Sequence, residues 1–524
     1  MKTMRKISSG AALMLISVLC ASCSWLDVTP DNSIDEDDLF STGYGCRNAL
    51  NGIYLQLGSQ ELYGKNMSWG FLSAIAQEYL TDASIQGSYS QQLSKDAADF
   101  IYNTTETRPV IASIWEQSYS VIANINKIIE HIDAIPQSEF AYGADERNLI
   151  KAEAYALRAM LHFDLLRLFA PAPSTNPAGE YIPYRDAFSS EIGEKLSVKA
   201  FITKTLKDIS IAEPILKSFD IELHPQAMYA SGMNSANTQM SARYRFNSNL
   251  YIDDYGQFFW FRGWRLNYMA LLGLKARVAF YGGSGFYPIA KAAAQELYND
   301  FYTNRKWVGF TTEENIVCQK ETRYTKVSDD VLFGVYYRTL ATDFDSGLFG
   351  ADNNVRYPLA NVESLFSSDN TGLYKDWRLN YLLAETNASN KAWYTLKYSI
   401  SSEPTVAAIE NPMIPVIRFS EICYILAELS AYDNQIETGI AYLETVRKAR
   451  GANRSLSLSV SSAQELIDEI VLDARKDFLC EGNMFYMYKR LNMAQLPSSS
   501  NPGTMKTTSA AVYVLPIPES ENPF

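Results

Sequence analysis

The stretch from Ile150 to Phe169 constrains this chain more than any other. Ala152, Tyr155, Ala156, Ala159, Met160, Phe163 and Leu166 fall on one helical face, and Ala154, Leu157, Leu161, Leu165 and Leu168 on another. A helix apolar on two faces does not lie on a surface; it is sandwiched between neighbours. Pro171 and Pro173 then stop it, since proline lacks the donor a helix needs and clashes with the preceding turn. The chain therefore builds a packed, mainly helical body.

Helical spacing recurs elsewhere. Ile114, Tyr119, Ile122, Ile125, Ile129 and Ile132 repeat at intervals near three and four within 111–135, and Pro136 closes that segment. Further helices are predicted over about 197–217, 266–281, 288–303, 415–432, 436–450 and 462–480, the last ended by Gly482. Two adjacent pairs have short connections, Asp433-Asn434-Gln435 and Gly282-Gly283-Ser284-Gly285, as in helix-turn-helix repeats of the tetratricopeptide type. Between the helices, 218–262, 304–362 and 366–412 lack helical period, with short strands expected over 331–337 and 393–398. Connections of that length inside a compact protein commonly carry function.

The chain begins with Lys2, Arg5 and Lys6, an apolar run from Ala11 to Leu19, the small residues Ala21-Ser22, and Cys23. This reads as an export signal whose apolar run is too short to span a bilayer. Residues 1–22 are expected to be removed and 23–40 to form a tether acylated at Cys23. Residues 41–524 then form one body, helical over 41–217 and loop-rich with a C-terminal repeat over 218–524. Cys20 stands three residues before Cys23, where such signals usually carry Leu or Val. The alternative is an ordinary secretory leader cut nearby.

With 46 basic against 59 acidic residues the formal charge is −13, and the leader takes three of the basic ones. That sign argues against nucleic acid or an anionic membrane surface as partner. Cys46, Cys318, Cys423 and Cys480 have no metal-ligand spacing, and the last two are expected to be buried thiols. His131 and His162 fall in helical patterns and His224 precedes Pro225, so structural roles are expected for all three. Asp35-Glu36-Asp37-Asp38 reads as a solvated run rather than a metal site. The sequence has no G-x-S-x-G, no H-E-x-x-H and no P-loop, and no cofactor is expected.

The 34 Tyr, 25 Phe and 8 Trp are concentrated in the long connections. A flat ring can stack on a sugar ring while carboxylates, amides and Arg bind its hydroxyls. Three clusters offer this. The first is Glu78, Tyr79, Asp82, Gln86 and Tyr89. The second is Tyr251, Asp253, Asp254, Tyr255, Phe258 and Trp260. The third is Phe344, Phe349, Asp352, Asn353, Asn354 and Tyr357. Glu78, Asp82, Tyr89, Tyr251, Tyr255, Trp260, Phe349, Asn353 and Tyr357 are the candidate contacts, whereas Trp115, Trp377 and Trp393 are assigned to the core.

Five segments carry a family resemblance. They are Cys23-Ser24-Trp25-Leu26-Asp27 with Pro30, and Ala49-Leu50-Asn51-Gly52-Ile53-Tyr54. Next come Ala152-Glu153-Ala154-Tyr155 through Leu157-Arg158-Ala159 to Arg167-Leu168-Phe169, and Arg418-Phe419-Ser420-Glu421 with Ala427-Glu428. Leu515-Pro516-Ile517-Pro518 with Glu521-Asn522-Pro523 closes the set. In this order they resemble the SusD/RagB family of outer-membrane nutrient-binding lipoproteins. Glu481-Gly482-Asn483-Met484-Phe485 departs from that family's usual Arg-Trp after the Glu-Gly pair.

The resemblance implies a mainly α fold, with tetratricopeptide-like helix pairs packed against a loop-rich ligand-binding region that has a few short strands. It implies a non-catalytic protein, lipid-anchored on the outer face of the outer membrane. Its partners would be a glycan and a TonB-dependent, SusC-like transporter. A peptide ligand is the alternative, and an exported glycosidase using two carboxylates is the opposing class. Glu153, Arg158, Arg167 and Arg418 are then expected to form structural ion pairs.

Overall fold

Every turn of the doubly apolar helix is covered by protein. The computed structural model describes residues 39–81, 90–191, 193–228, 245–246, 256–348, 355–369, 375–386, 391–457 and 459–521. Cys23 and its leader lie outside them, as do Asp82, Tyr89, Tyr251, Tyr255, Phe349 and Asn353.

The longer helices are α1 (Gly43–Leu57), α2 (Thr107–His131), α3 (Gly143–Phe169), α4 (Val198–Lys217), α5 (Tyr268–Tyr281) and α6 (Tyr287–Glu296). They continue with α7 (Leu340–Leu348), α8 (Phe419–Tyr432), α9 (Ile436–Ala449), α10 (Ala463–Asp477) and α11 (Asn483–Arg490). α3 packs against α2 on one side and α4 on the other, which is why it carries two apolar faces. Leu157, Leu161, Leu165 and Leu168 are all buried, and truncating any one to Ala costs about 2–5 kcal/mol through lost contacts and the cavity left behind. α5–α6 and α8–α9 are antiparallel neighbours joined by the short connections read from sequence. One apolar core runs from Phe40 to Leu515.

Strands occur only in pairs among the described residues. These are β1 (Glu180–Pro183) with β2 (Lys195–Ser197), β3 (Val331–Tyr336) with β6 (Met413–Arg418), β4 (Leu383–Glu385) with β5 (Trp393–Thr395), and β7 (Gln495–Pro497) with β8 (Met505–Thr507). β3 and β6 are antiparallel, in a register that sets Tyr336 opposite Met413. Gly273 of α5 lets that helix lie against β6; a Cβ there would stand 2.8 Å from Ile417 Cγ2.

Several boundaries differ from expectation: α2 spans Thr107–His131 rather than 111–135, and α7 falls inside the stretch 304–362 expected to lack helical period. Residues 413–418 form β6, and the following helix starts only at Phe419. Met413-Ile414-Pro415-Val416-Ile417 is buried on both faces, so its apolar run mimics a helix pattern while its β-branched residues and proline favour the strand. Gly482, at φ +75°, caps the start of α11, and α10 ends earlier at Asp477.

Buried ion pairs tie the C-terminal segments together. Arg418 Nε and Nη2 donate to Glu481 at 2.7 and 2.6 Å, and its Nη1 to Asp330 at 2.8 Å. Arg450 reaches Asp330 and Asp477, each at 2.7 Å. Arg158 donates to Asp208 through Nε and Nη2 at 2.7 and 2.8 Å, and Arg167 pairs with Asp164. These arginines are structural, as expected. His162 is buried too: its Nε2 accepts from Arg185 N at 3.0 Å, and its ring stacks 3.8 Å from Tyr184. Burial and the Arg158 charge hold His162 well below the usual histidine range, so it is neutral. Cys423 and Cys480 are buried thiols.

Candidate functional site: an aromatic platform beside strand β3

The segment Phe258-Phe259-Trp260-Phe261-Arg262-Gly263-Trp264 carries five rings in seven residues, too many for one buried face. Phe258 and Phe259 turn inward: Phe259 lies 5.2 Å from Phe219 and 5.0 Å from Tyr142, and Phe258 lies under Arg265 and Arg47 at 4.5 and 5.1 Å. Trp260, Phe261 and Trp264 are half-buried. Tyr336, at the exposed end of β3, meets the Trp264 ring edge-on at 5.4 Å. Trp260 meets Phe261 edge-on at 6.2 Å, and the short turn 261–264 joins this pair to that of Trp264 and Tyr336, giving a two-part, partly solvent-facing aromatic platform.

Phe261 adopts φ +60° and ψ +40°, a left-handed conformation that is a genuine outlier for a bulky side chain. Such strain persists only where the surroundings fix it. Here Arg262 supplies the fixing. Its buried guanidinium donates to Asp220 at 2.8 and 3.1 Å and to Glu153 at 2.6 Å. Burial alone would weaken its hold on the proton, but Asp220 and Glu153 keep it firmly cationic. Gly263 N donates to Arg245 O at 2.8 Å, and Asn267 Nδ2 donates to Arg262 O at 2.9 Å while its Oδ1 caps α5 by accepting from Ala270 N. Tyr54 of α1 completes the support, donating to Glu153 at 2.7 Å and accepting from Leu266 N at 3.0 Å. The Tyr54 and Glu153 segments singled out in the sequence thus converge beneath the rings.

The first and third sequence clusters also meet. Tyr79 and Leu359 form an antiparallel bridge, Leu80 N donates to Pro358 O at 2.7 Å, and Ala360 N to Glu78 O at 2.8 Å. This brings together the attachment points of two chain segments holding Asp82 and Tyr89, and Phe349 and Asn353.

Glu78 and Tyr357, though, face inward, each 7% exposed. Tyr357 packs against Tyr79 at 5.2 Å and Trp69 at 5.6 Å, and Phe344 against Trp69 at 5.1 Å. Glu78 Oε2 accepts from Cys480 N at 2.8 Å. Burial pushes its carboxyl up to about 7, against the pull of Ser73, the Cys480 N–H and Lys397. In this structure both side chains support the loop feet rather than forming a surface. Of the nine candidate contacts, Trp260 alone among the described residues stands on the platform.

Phe261, Trp264 and Tyr336 were missed in the sequence. The density of rings over 258–264 was the available signal. Tyr336 had only a weak one, because β3 is buried at every position before it.

Two family models match the chain. One, described as starch-binding associating with outer membrane, covers residues 24–251, and the other, described as the SusD family, covers residues 292–521. SusD-like protein P38 of Formosa agariphila is 25% identical over 257 residues, 46% of each chain. SusD-like protein P2 of the same organism is 24% identical over 189 residues, 36% of this chain and 33% of that one. The chain thus spans less than half the length of these curated relatives.

Among solved structures, a SusD-like carbohydrate binding protein from Bacteroides vulgatus superposes with a TM-score of 0.65 at 16% identity, covering 92% of this chain and 96% of that one. A SusD superfamily protein from Bacteroides thetaiotaomicron gives a TM-score of 0.65 at 21% identity, covering 92% and 97%. The expected tetratricopeptide-like helical fold is therefore shared. Among the described residues, no helix is long and apolar enough to cross a membrane. With one fold running through nine-tenths of its length and two family models covering most of it between them, the chain belongs to the SusD/RagB family.

Proposed function

We propose that this protein is a surface lipoprotein, anchored through acylated Cys23 in the outer membrane, that binds an oligosaccharide without cleaving it and passes it to a TonB-dependent, SusC-like transporter. The platform of Trp260, Phe261, Trp264 and Tyr336 carries the reading, because ring faces held half-open by a buried ionic support suit stacking on a sugar ring. The carbohydrate binding named for the Bacteroides vulgatus relative points the same way. Tyr251 and Tyr255 adjoin the platform in sequence, and Asp82, Tyr89, Phe349 and Asn353 belong to segments tethered at the Tyr79–Leu359 bridge; all six are proposed further contacts. Stacking with a few hydrogen bonds gives modest affinity, which suits a protein that must release its cargo.

The test is a binding screen of the soluble form lacking Cys23 against plant, host and microbial glycans and against peptides. Glycan capture that falls at least tenfold in the double variant Tyr255→Ala, Trp260→Ala, with little change in melting temperature, is the expected result. Capture of peptides alone, or steady cleavage of a glycan, overturns the reading.

A further inference from the structure

Away from the platform, a cleft of about 360 Å³ opens between α2, the β1–β2 hairpin and the C-terminal segment around Glu521. That volume falls within the roughly 300–1,000 Å³ of small-molecule sites. Trp115 lines it although the residue is only 3% exposed, and its indole Nε1–H has no hydrogen-bond partner. This group can only donate, and leaving it buried and unpaired costs about 1–3 kcal/mol. The cleft therefore calls for an acceptor where Trp115 closes it.

Its walls carry rings and unpaired charges. Tyr119 is half-buried, while Phe188, in the connection between β1 and β2, is 50% exposed. Phe188 is nonetheless held in place: its backbone N–H donates to Glu130 Oε1 at 2.6 Å, and the Lys127 ammonium lies 4.0 Å from the ring centre. Arg185 donates to the Glu191 carbonyl and so shapes the same connection. Burial pushes the Tyr119 hydroxyl up, Arg185 pulls it down and Glu521 pushes it up, so a charge from the hairpin and one from the C-terminal segment both stand near that oxygen. Among the described residues no carboxylate pairs with Arg185 or Lys195, and no cation with Glu521. Water would answer the indole but leave the ring faces bare. An apolar ligand would cover the rings but strand the indole N–H, Arg185 and Glu521. A sugar ring meets both demands, with an apolar face for stacking and hydroxyls that donate and accept.

We propose that this cleft is a second sugar-binding site, taking one sugar unit against Tyr119 and Phe188 with its hydroxyls on Trp115, Arg185 and Glu521. The ligand class rests on the glycan-binding role proposed for the platform, but the location is separate. Trp115 packs 4.8 Å from Phe169 at the end of α3, whereas the platform rests on Glu153. At about 1.5 Å per residue that stretch of helix spans roughly 24 Å, so no one sugar unit reaches both.

The test uses the soluble form of the whole mature chain with isotope-labelled tryptophan indoles read by NMR, titrated in turn with glucose, galactose, mannose, xylose, glucuronate and glycylglycine. The Trp115 indole signal, identified by its loss in Trp115→Phe, should shift saturably with at least one of the sugars. Phe188→Ala, which removes an exposed ring and leaves the core intact, should raise the midpoint of that titration about tenfold. A Trp115 signal that no sugar moves overturns the proposal, as does movement with glycylglycine alone or a midpoint unchanged in Phe188→Ala. The Trp260 and Trp264 signals report on the platform separately. A sugar-dependent shift confined to them sinks the second site and leaves the glycan role standing, and one confined to Trp115 supports the second site without the platform.

Discussion

Arg262 donates to Glu153 at 2.6 Å with both side chains fully buried, and this pair sets the position of the rings around Phe261. Glu153 also holds Arg265 at 2.8 Å; without its charge Arg262 keeps Asp220 but Arg265 has no carboxylate among the described residues, and breaking a buried ion pair in this way costs about 3–5 kcal/mol. Glu153→Gln should therefore lower unfolding stability by that order in urea titrations. It should also shift the tryptophan fluorescence of the folded protein, because Trp260 and Trp264 flank the Arg262 turn. A loss under 1 kcal/mol would mean the pair does not support the platform.

Phe261 offers a test of backbone strain. Its positive φ suits glycine and penalises a β-branched residue most. Both Phe261→Gly and Phe261→Val remove the ring, so their difference isolates the conformational term. The valine variant should be less stable by about 1–2 kcal/mol, measured by denaturant midpoints. Equal midpoints would show that the turn relaxes.

Glu78 gives the protein a specific pH response. Its folded-state value is raised, so the folded form takes up the proton more readily than the unfolded chain. Its contribution is most favourable below the ordinary value of 4.5, declines as pH rises to about 7, and is flat above that. Glu78→Gln keeps an acceptor for the Cys480 N–H and removes the titration. The variant should gain about 3 kcal/mol on the native protein between pH 4.5 and pH 7, read from urea midpoints. A difference that does not change with pH would contradict this.

Cys23→Ala tests the anchor. The variant should leave the membrane pellet for the soluble fraction, since one acyl chain alone holds a protein weakly and no lipidated residue would remain. Retention in the pellet at unchanged level would remove the lipid anchor from the proposed function.

Helix positions were legible because burial imposes a period. The two faces of α3 match its neighbours α2 and α4, and Pro171 marks its end. The period fails where a strand is buried on both sides: 415–418 reads as the start of a helix until its partner β3 is known. Glu78 and Tyr357 show the complementary limit. Polar and aromatic residues flanking a loop look alike in sequence whether they face a ligand or close the core behind it. Long-range pairing decides between the two, and neither Cys480 N for Glu78 nor Trp69 for Tyr357 is near in sequence. Arg262 shows the same limit: its pairing with Glu153, far away in sequence, fixes the rings beside it.

The bridge between Tyr79 and Leu359 pins one end of each of two chain segments at a single spot, on a body with a continuous apolar core. The closure entropy of a segment with fixed ends grows only slowly with its length. A change in the length of either segment therefore adds little to the cost of closing it, and the helices that carry the bridge keep their packing.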